Sequence, residues 1–151
     1  MSTGLANEVL GWSPDARLLI LNTDDFGMYE AVNLAVVESI ESGVASSCTV
    51  MPPCPKAPHA MHLLRQHPQI PFGVHLTLIC DFADYLWGPL SPMEKVPSLI
   101  NDAGMSFGPD EAARLVTQAR LDEVELELRA QINSVLDAGL QPTHLDWHYI
   151  P

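Results

Sequence analysis

The order of patterns along the chain predicts an α/β fold with parallel strands. Two observations carry this. Short apolar runs alternate with segments whose apolar residues recur every three or four positions, which is strand–helix alternation. The two clearest helical segments each close on a glycine, Gly43 and Gly139, the usual mark of a helix C-terminus. With 151 residues, 47% of them apolar, the chain can build one core and is too apolar to stay disordered.

The elements follow in order. Residues 1–16 read as an N-terminal arm, and residues 17–151 as the domain. Arg17–Asn22 is a short continuous apolar run, the pattern of a strand buried on both faces. Thr23-Asp24-Asp25-Phe26-Gly27 reads as the polar turn that ends it. Val32, Val36 and Ile40, with Ala35, mark one face of a helix that stops at Gly43. Val44–Met51 reads as a second strand, and the proline-rich stretch 52–58 as a loop. A short helix through Met61, Leu63 and Leu64 stops near His67-Pro68, and Phe72–Ile79 reads as a third strand. Residues 81–108 are rich in Pro and Gly and show no sustained period. Connections that long are usually functional or disordered. Leu121, Val124, Leu128, Ile132 and Val135 mark the face of another helix, with Asp122, Glu123 and Glu125 at its electropositive start. Thr143–Trp147 reads as the fourth strand.

Charge and composition exclude several classes. The formal net charge of −12 repels nucleic acid and anionic membrane surfaces. No apolar stretch approaches the ~18 residues of a membrane span, and the first residues lack the basic start of a secretory leader. Three cysteines, Cys48, Cys54 and Cys80, are an odd number without C-x-x-C spacing. That fits inert, buried thiols and a cytoplasmic location.

Three places carry residue types suited to chemistry. Asp24-Asp25 follows the first strand, where parallel sheets and barrels hold their sites. One carboxylate can bind a metal while its neighbour accepts a proton; the pair equally suits the cap and first turn of the next helix. Alternation in Gly73–Leu78 puts His75 on one strand face with Thr77, as a ligand or as a satisfied core histidine. In Thr143–His148, period-two spacing puts His144, Asp146 and His148 on one face. Two imidazoles with a carboxylate suit a metal ligand and a group that orients it. His59 and His62 stand three apart but without an acidic partner, and read as a solvated face. Phe82, Tyr85, Trp87 and Phe107 suit either a sugar-stacking lid or a small core that holds the long loop down.

Taken as an ordered set, Leu21–Gly27, Gly73–Leu76 and Pro142–His148 resemble the YdjC-like carbohydrate deacetylases over about residues 18–148. The resemblance implies the N-terminal part of a deformed (β/α) barrel related to the polysaccharide deacetylases. It implies hydrolysis of acetyl groups from N-acetylated sugars such as chitooligosaccharides, with a divalent metal ion. By motif, Asp25, His75 and His148 would bind the metal, and Asp24 would be the general base. Asp146 would be an active-site or supporting carboxylate, and His144 matches the motif without an assigned role. The resemblance points to Mg²⁺, while the nitrogen donors also suit Zn²⁺ or another transition ion. Two departures stand out: Thr23 replaces the usual Ala, and Tyr149-Ile150-Pro151 stands where many relatives carry further histidines.

No acid for the leaving amine emerges from these motifs. A barrel takes about 250 residues, so the domain is expected to be incomplete at its C-terminus. The rest would come from further chain, a partner or a second copy. A non-catalytic fragment or sugar- and metal-binding domain is the alternative to a working enzyme. A phosphoesterase would require more metal-binding carboxylates.

Overall fold

The computed structural model describes residues 5–149. The elements are α1 (Leu5–Val9), β1 (Asn22–Phe26), α2 (Glu30–Glu41), β2 (Ser47–Val50), α3 (Ala57–Gln66), β3 (Phe72–Leu76), α4 (Ala112–Gln118), α5 (Leu121–Asp137) and β4 (His144–Trp147). Three short 3-10 turns lie between β3 and α4. The α/β fold expected from the sequence is present, with all four strands parallel and ordered β1-β2-β3-β4. Such sequential order has no topological switch point. It is the winding of a barrel wall rather than of a doubly wound sheet.

The two sheet faces differ in chemistry. Cys48, Val50, Phe72, Val74 and Leu76 point into a core shared with Val36 and Val37 of α2, Leu63 and Leu64 of α3, and Val135 of α5. The opposite face carries Asn22, Ser47, Thr49, His75 and Asp146, joined side chain to side chain. The helices therefore cover one face and leave the polar face for a site.

Gly73 also lies on that face, paired with His144. A Cβ at position 73 would come within 2.6 Å of both the His144 ring and its carbonyl oxygen. Gly73→Ala is therefore expected to destabilise by roughly 1–3 kcal/mol, the usual cost of overpacking, read as a drop in the thermal midpoint. An unchanged midpoint would show that β4 shifts freely.

The first strand lies further along the chain than its apolar run suggested. Leu19 and Ile20 are 84% and 80% exposed, and the strand is Asn22–Phe26, through the segment expected to be a turn. The reason is polar pairing. Thr23 Oγ1 donates to the Ser47 carbonyl, and Asn22 bonds the hydroxyls of Ser47 and Thr49. These bonds satisfy polar residues that an apolar-run criterion rejects.

The long excursion after β3 is ordered around a core of its own, formed by Ile79, Val96, Leu99, Phe107, Ala112 and Leu115. Helix α4 packs there and was not expected. The face of α5 also differs from its apolar pattern. Leu121 is 85% exposed, while Glu123, Glu127 and Gln131 are buried. Glu127 accepts from the backbone N–H groups of Leu90 and Ser91 and from Gln131 Nε2. Glu123 accepts from Ser98 N–H. Gln131 brackets Thr77, accepting from its N–H and donating to its carbonyl. One polar helix face thus pins a loop that has no ladder of its own. Glu127→Ala, which orphans these buried donors, is expected to cost roughly 2–4 kcal/mol, measured by denaturant unfolding. Glu127→Gln, which keeps one acceptor oxygen, should cost less; equal losses would contradict this account.

Candidate metal centre

Asp24 and Asp25 lie in a bulge of β1. Thr23 pairs with Cys48 and Phe26 with Val50, so β1 has one more residue here than β2. Asp25 takes up the extra residue at φ 57°, the one non-glycine residue with positive φ among those described. Bulges re-aim side chains beside functional sites. Phe26 is thereby turned into the core, and Asp25 faces the histidines. Asn33 of α2 holds the turn that follows. It is fully buried, accepts from Gly27 N–H at 2.7 Å and donates to the Lys56 carbonyl at 3.1 Å. The capping alternative for the acidic pair is not what the structure has, since Tyr29 stands at the N-cap of α2.

Three donor atoms converge at the C-terminal ends of β1, β3 and β4. His75 Nε2 and His148 Nδ1 are 3.2 Å apart. Asp25 Oδ1 lies 3.7 Å from the first and 3.6 Å from the second. Each imidazole is backed by its own carboxylate. Asp146 Oδ1 meets His75 Nδ1 at 2.7 Å, and Asp81 Oδ1 meets His148 Nε2 at 3.0 Å. Thr49 donates to Asp146 Oδ2 at 2.9 Å and itself accepts from Asn22. Asp146 is thus held by strands β1 and β2 while it orients a histidine on β3.

These contacts set the tautomers. With carboxylates as acceptors, His75 is protonated at Nδ1 and His148 at Nε2. Their other nitrogens then face each other with lone pairs only. Asp25 Oδ1 is buried beside them without a hydrogen-bond donor. Three lone pairs directed at one point repel unless a cation lies between them. Their separations match ligands that each stand roughly 2.0–2.2 Å from one ion. The residues present therefore fit a divalent metal, and Asp25, His75 and His148 are the cluster able to hold it. Burial holds the Asp25 carboxyl above its ordinary range. Asp24 and Asp81 add to this, and His148 and His75 oppose it. An ion would remove that penalty.

The remaining expected residues separate clearly. Asp24 is exposed and lines an open cavity of about 620 Å³ beside Asp25. His144 shares the polar face but lies over Gly73, with Nδ1 2.9 Å from Thr143 Oγ1, outside the three-residue cluster. His62 is exposed; His59 is half-buried, its Nδ1 3.1 Å from Asn33 Nδ2. The cysteines are free and buried. Burial pushes the Cys48 and Cys80 thiols up to about 12 and raises Cys54 as well, so none is a nucleophile at neutral pH. Among the loop aromatics, Trp87 and Phe107 are buried, whereas Phe82 is half exposed. Asp81 is the residue that sequence reasoning missed. It lies in the irregular stretch after β3, and its only signal was position, six residues past His75.

A barrel-type parallel sheet with a two-histidine, one-aspartate cluster at its strand ends defines the class as α/β proteins with a candidate divalent-metal centre. The chain belongs to the family described as YdjC-like protein, whose model matches residues 18–150. It is 37% identical over 133 residues to a carbohydrate deacetylase of Geobacillus stearothermophilus, covering 88% of this chain and 49% of that protein. It is 36% identical over 138 residues to a chitooligosaccharide deacetylase of Serratia marcescens, again covering 88% and 49%. The crystal structure of an Enterococcus faecalis V583 protein, provisionally assigned to cellobiose-phosphate cleavage, superposes with a TM-score of 0.77 at 36% identity. That match covers 87% of this chain and 48% of the other. The chain spans about half the length of the curated relatives it matches.

Proposed function

We propose that this chain carries the metal centre of a hydrolase that removes acetyl groups from N-acetylated sugars or oligosaccharides. The observation that carries the reading is the convergence of Asp25, His75 and His148, each imidazole backed by a carboxylate, with Asp24 exposed at its side. Relatives named carbohydrate and chitooligosaccharide deacetylases support the substrate class. A divalent ion held by Asp25, His75 and His148 would polarise the acetyl carbonyl and acidify water for attack.

The protein's own groups supply the rest. Asp24 lies at the open side, where it can accept the proton of an attacking water. Asp146 and Asp81 keep the two imidazoles in the tautomers that present lone pairs to the centre. Mg²⁺ is the ion implied by family resemblance, while two nitrogen donors and one oxygen also suit Zn²⁺. The same reading puts the protein in a reducing cytoplasm, supported by three free, buried cysteines. No described helix is long and apolar enough to cross a membrane.

The direct test is acetate release from N,N′-diacetylchitobiose by metal-free protein, with Mg²⁺, Mn²⁺ or Zn²⁺ added back singly. Release that requires one of these ions is expected. Metal-independent release, or stoichiometric metal binding that survives His75→Ala, would refute the centre.

A further inference from the structure

The cavity beside Asp24 has a second kind of wall that the metal centre does not use. Phe82 immediately follows Asp81, the carboxylate behind His148, and is 49% exposed. It lines the same cavity as Asp24, Asp25 and Tyr29. Tyr29 is 39% exposed and does not hang free. Its ring stacks on Tyr85 with centroids 4.6 Å apart and planes at 21°. The Tyr85 hydroxyl in turn donates to the Met28 carbonyl, and Tyr85 N–H donates to Phe82 O at 3.3 Å. Behind Tyr85, the buried Trp87 ring packs edge-on at 6.1 Å. The stretch 82–87 is therefore clamped to the turn after β1, and two half-exposed rings line the cavity.

Half-exposed aromatic rings usually settle against a core or serve a ligand. Here Tyr85 and Trp87 fix the arrangement, and Phe82 and Tyr29 keep their exposure. A pyranose ring matches such a wall. It has an apolar C–H face that stacks on an aromatic ring, and hydroxyl edges that bond to carboxylates and water. The cavity, at about 620 Å³, falls within the roughly 300–1,000 Å³ typical of small-molecule sites.

We propose that Phe82, with Tyr29 beside it, is the platform on which a pyranose ring of the N-acetylated substrate stacks, so that its acetyl group is directed at Asp24 and Asp25. This rests on the deacetylase reading above and adds a specificity-determining surface to it. The surface selects for a sugar ring and not for the amide alone.

The test is calorimetric titration of N,N′-diacetylchitobiose into the metal-free chain, alongside metal uptake and acetate release by the same chain with the ion added back. Phe82→Ala is expected to weaken sugar binding by roughly 2–10-fold, and Phe82→Trp to restore it. Metal uptake should be unchanged in both. If the parent binds the sugar and Phe82→Ala and Tyr29→Ala bind it equally well, the platform is overturned and the deacetylase reading stands. If the parent neither binds the sugar nor releases acetate with any added ion, the substrate reading falls and the platform with it.

Discussion

Substituting alanine for His75 or His148 is expected to abolish stoichiometric binding of a divalent ion, because each removes one of the three donors that converge among the described residues. The supporting carboxylates should behave differently. Asp146→Asn and Asp81→Asn leave all three donors in place and keep one acceptor oxygen each, but lose the negative charge that holds each imidazole in its tautomer. Each should lower metal affinity by about 10–100-fold, the usual effect of losing such a partner. Competition against a chelator indicator measures both classes. A second readout is stability. Metal that binds only the folded state raises it by about 2.7 kcal/mol at a hundred times the dissociation constant. The thermal midpoint of the parent should climb with added ion, and that of His148→Ala should not.

The acid side of this behaviour has a definite sign. The Asp25 carboxyl is raised in the folded, metal-free protein, first by burial and then by Asp24. A raised acid favours folding when protonated, so its contribution is present at low pH and lost as pH climbs through the folded value. Metal binding runs the other way, since the ion needs the carboxylate. Proton competition at Asp25 should therefore begin above the pH range of an ordinary aspartate. Metal affinity that does not fall as the pH is lowered into the carboxylate range would contradict the assignment of Asp25 as a ligand.

The contrast between Asp146 and Asp81 shows which features were legible in the sequence. Asp146 was visible because period-two spacing on a strand sets a face, and a carboxylate two residues from each of two histidines is conspicuous. Asp81 was invisible because its partner is chosen by the path of an irregular segment after Leu76, which no periodicity encodes. The same reason hid the buried face of α5. Glu123, Glu127 and Gln131 spend their polarity on loop N–H groups, whereas an apolar pattern looks only for hydrocarbon. In β1 the apolar run drew the strand too early, because cross-strand bonds made by Asn22 and Thr23 satisfy residues that look like turn formers. The bulge at Asp24-Asp25 is what converts that shift into a site. A regular strand through those residues would alternate the two carboxylates across the sheet, one toward the helices.

Asp24→Asn separates catalysis from metal binding more cleanly than any ligand variant. Asp24 is exposed and adjacent to the cluster but not a member of it. The asparagine keeps size and shape and loses the charge and the ability to take a proton. Metal content and folding should match the parent, while acetate release should fall by roughly 10²–10⁴-fold, the range for loss of a general base. KM should move little, because the amide can still occupy the cavity. One local effect accompanies the change. Removing the Asp24 charge takes away one of the groups that raise Asp25, so metal binding should persist to slightly lower pH in the variant. A drop in metal affinity parallel to the drop in rate would instead make Asp24 a ligand and Asp25 its support. Unchanged acetate release would remove Asp24 from the reaction altogether. An ion-loaded parent that binds the sugar but releases no acetate would favour the non-catalytic reading, in which this chain has metal and sugar sites without turnover.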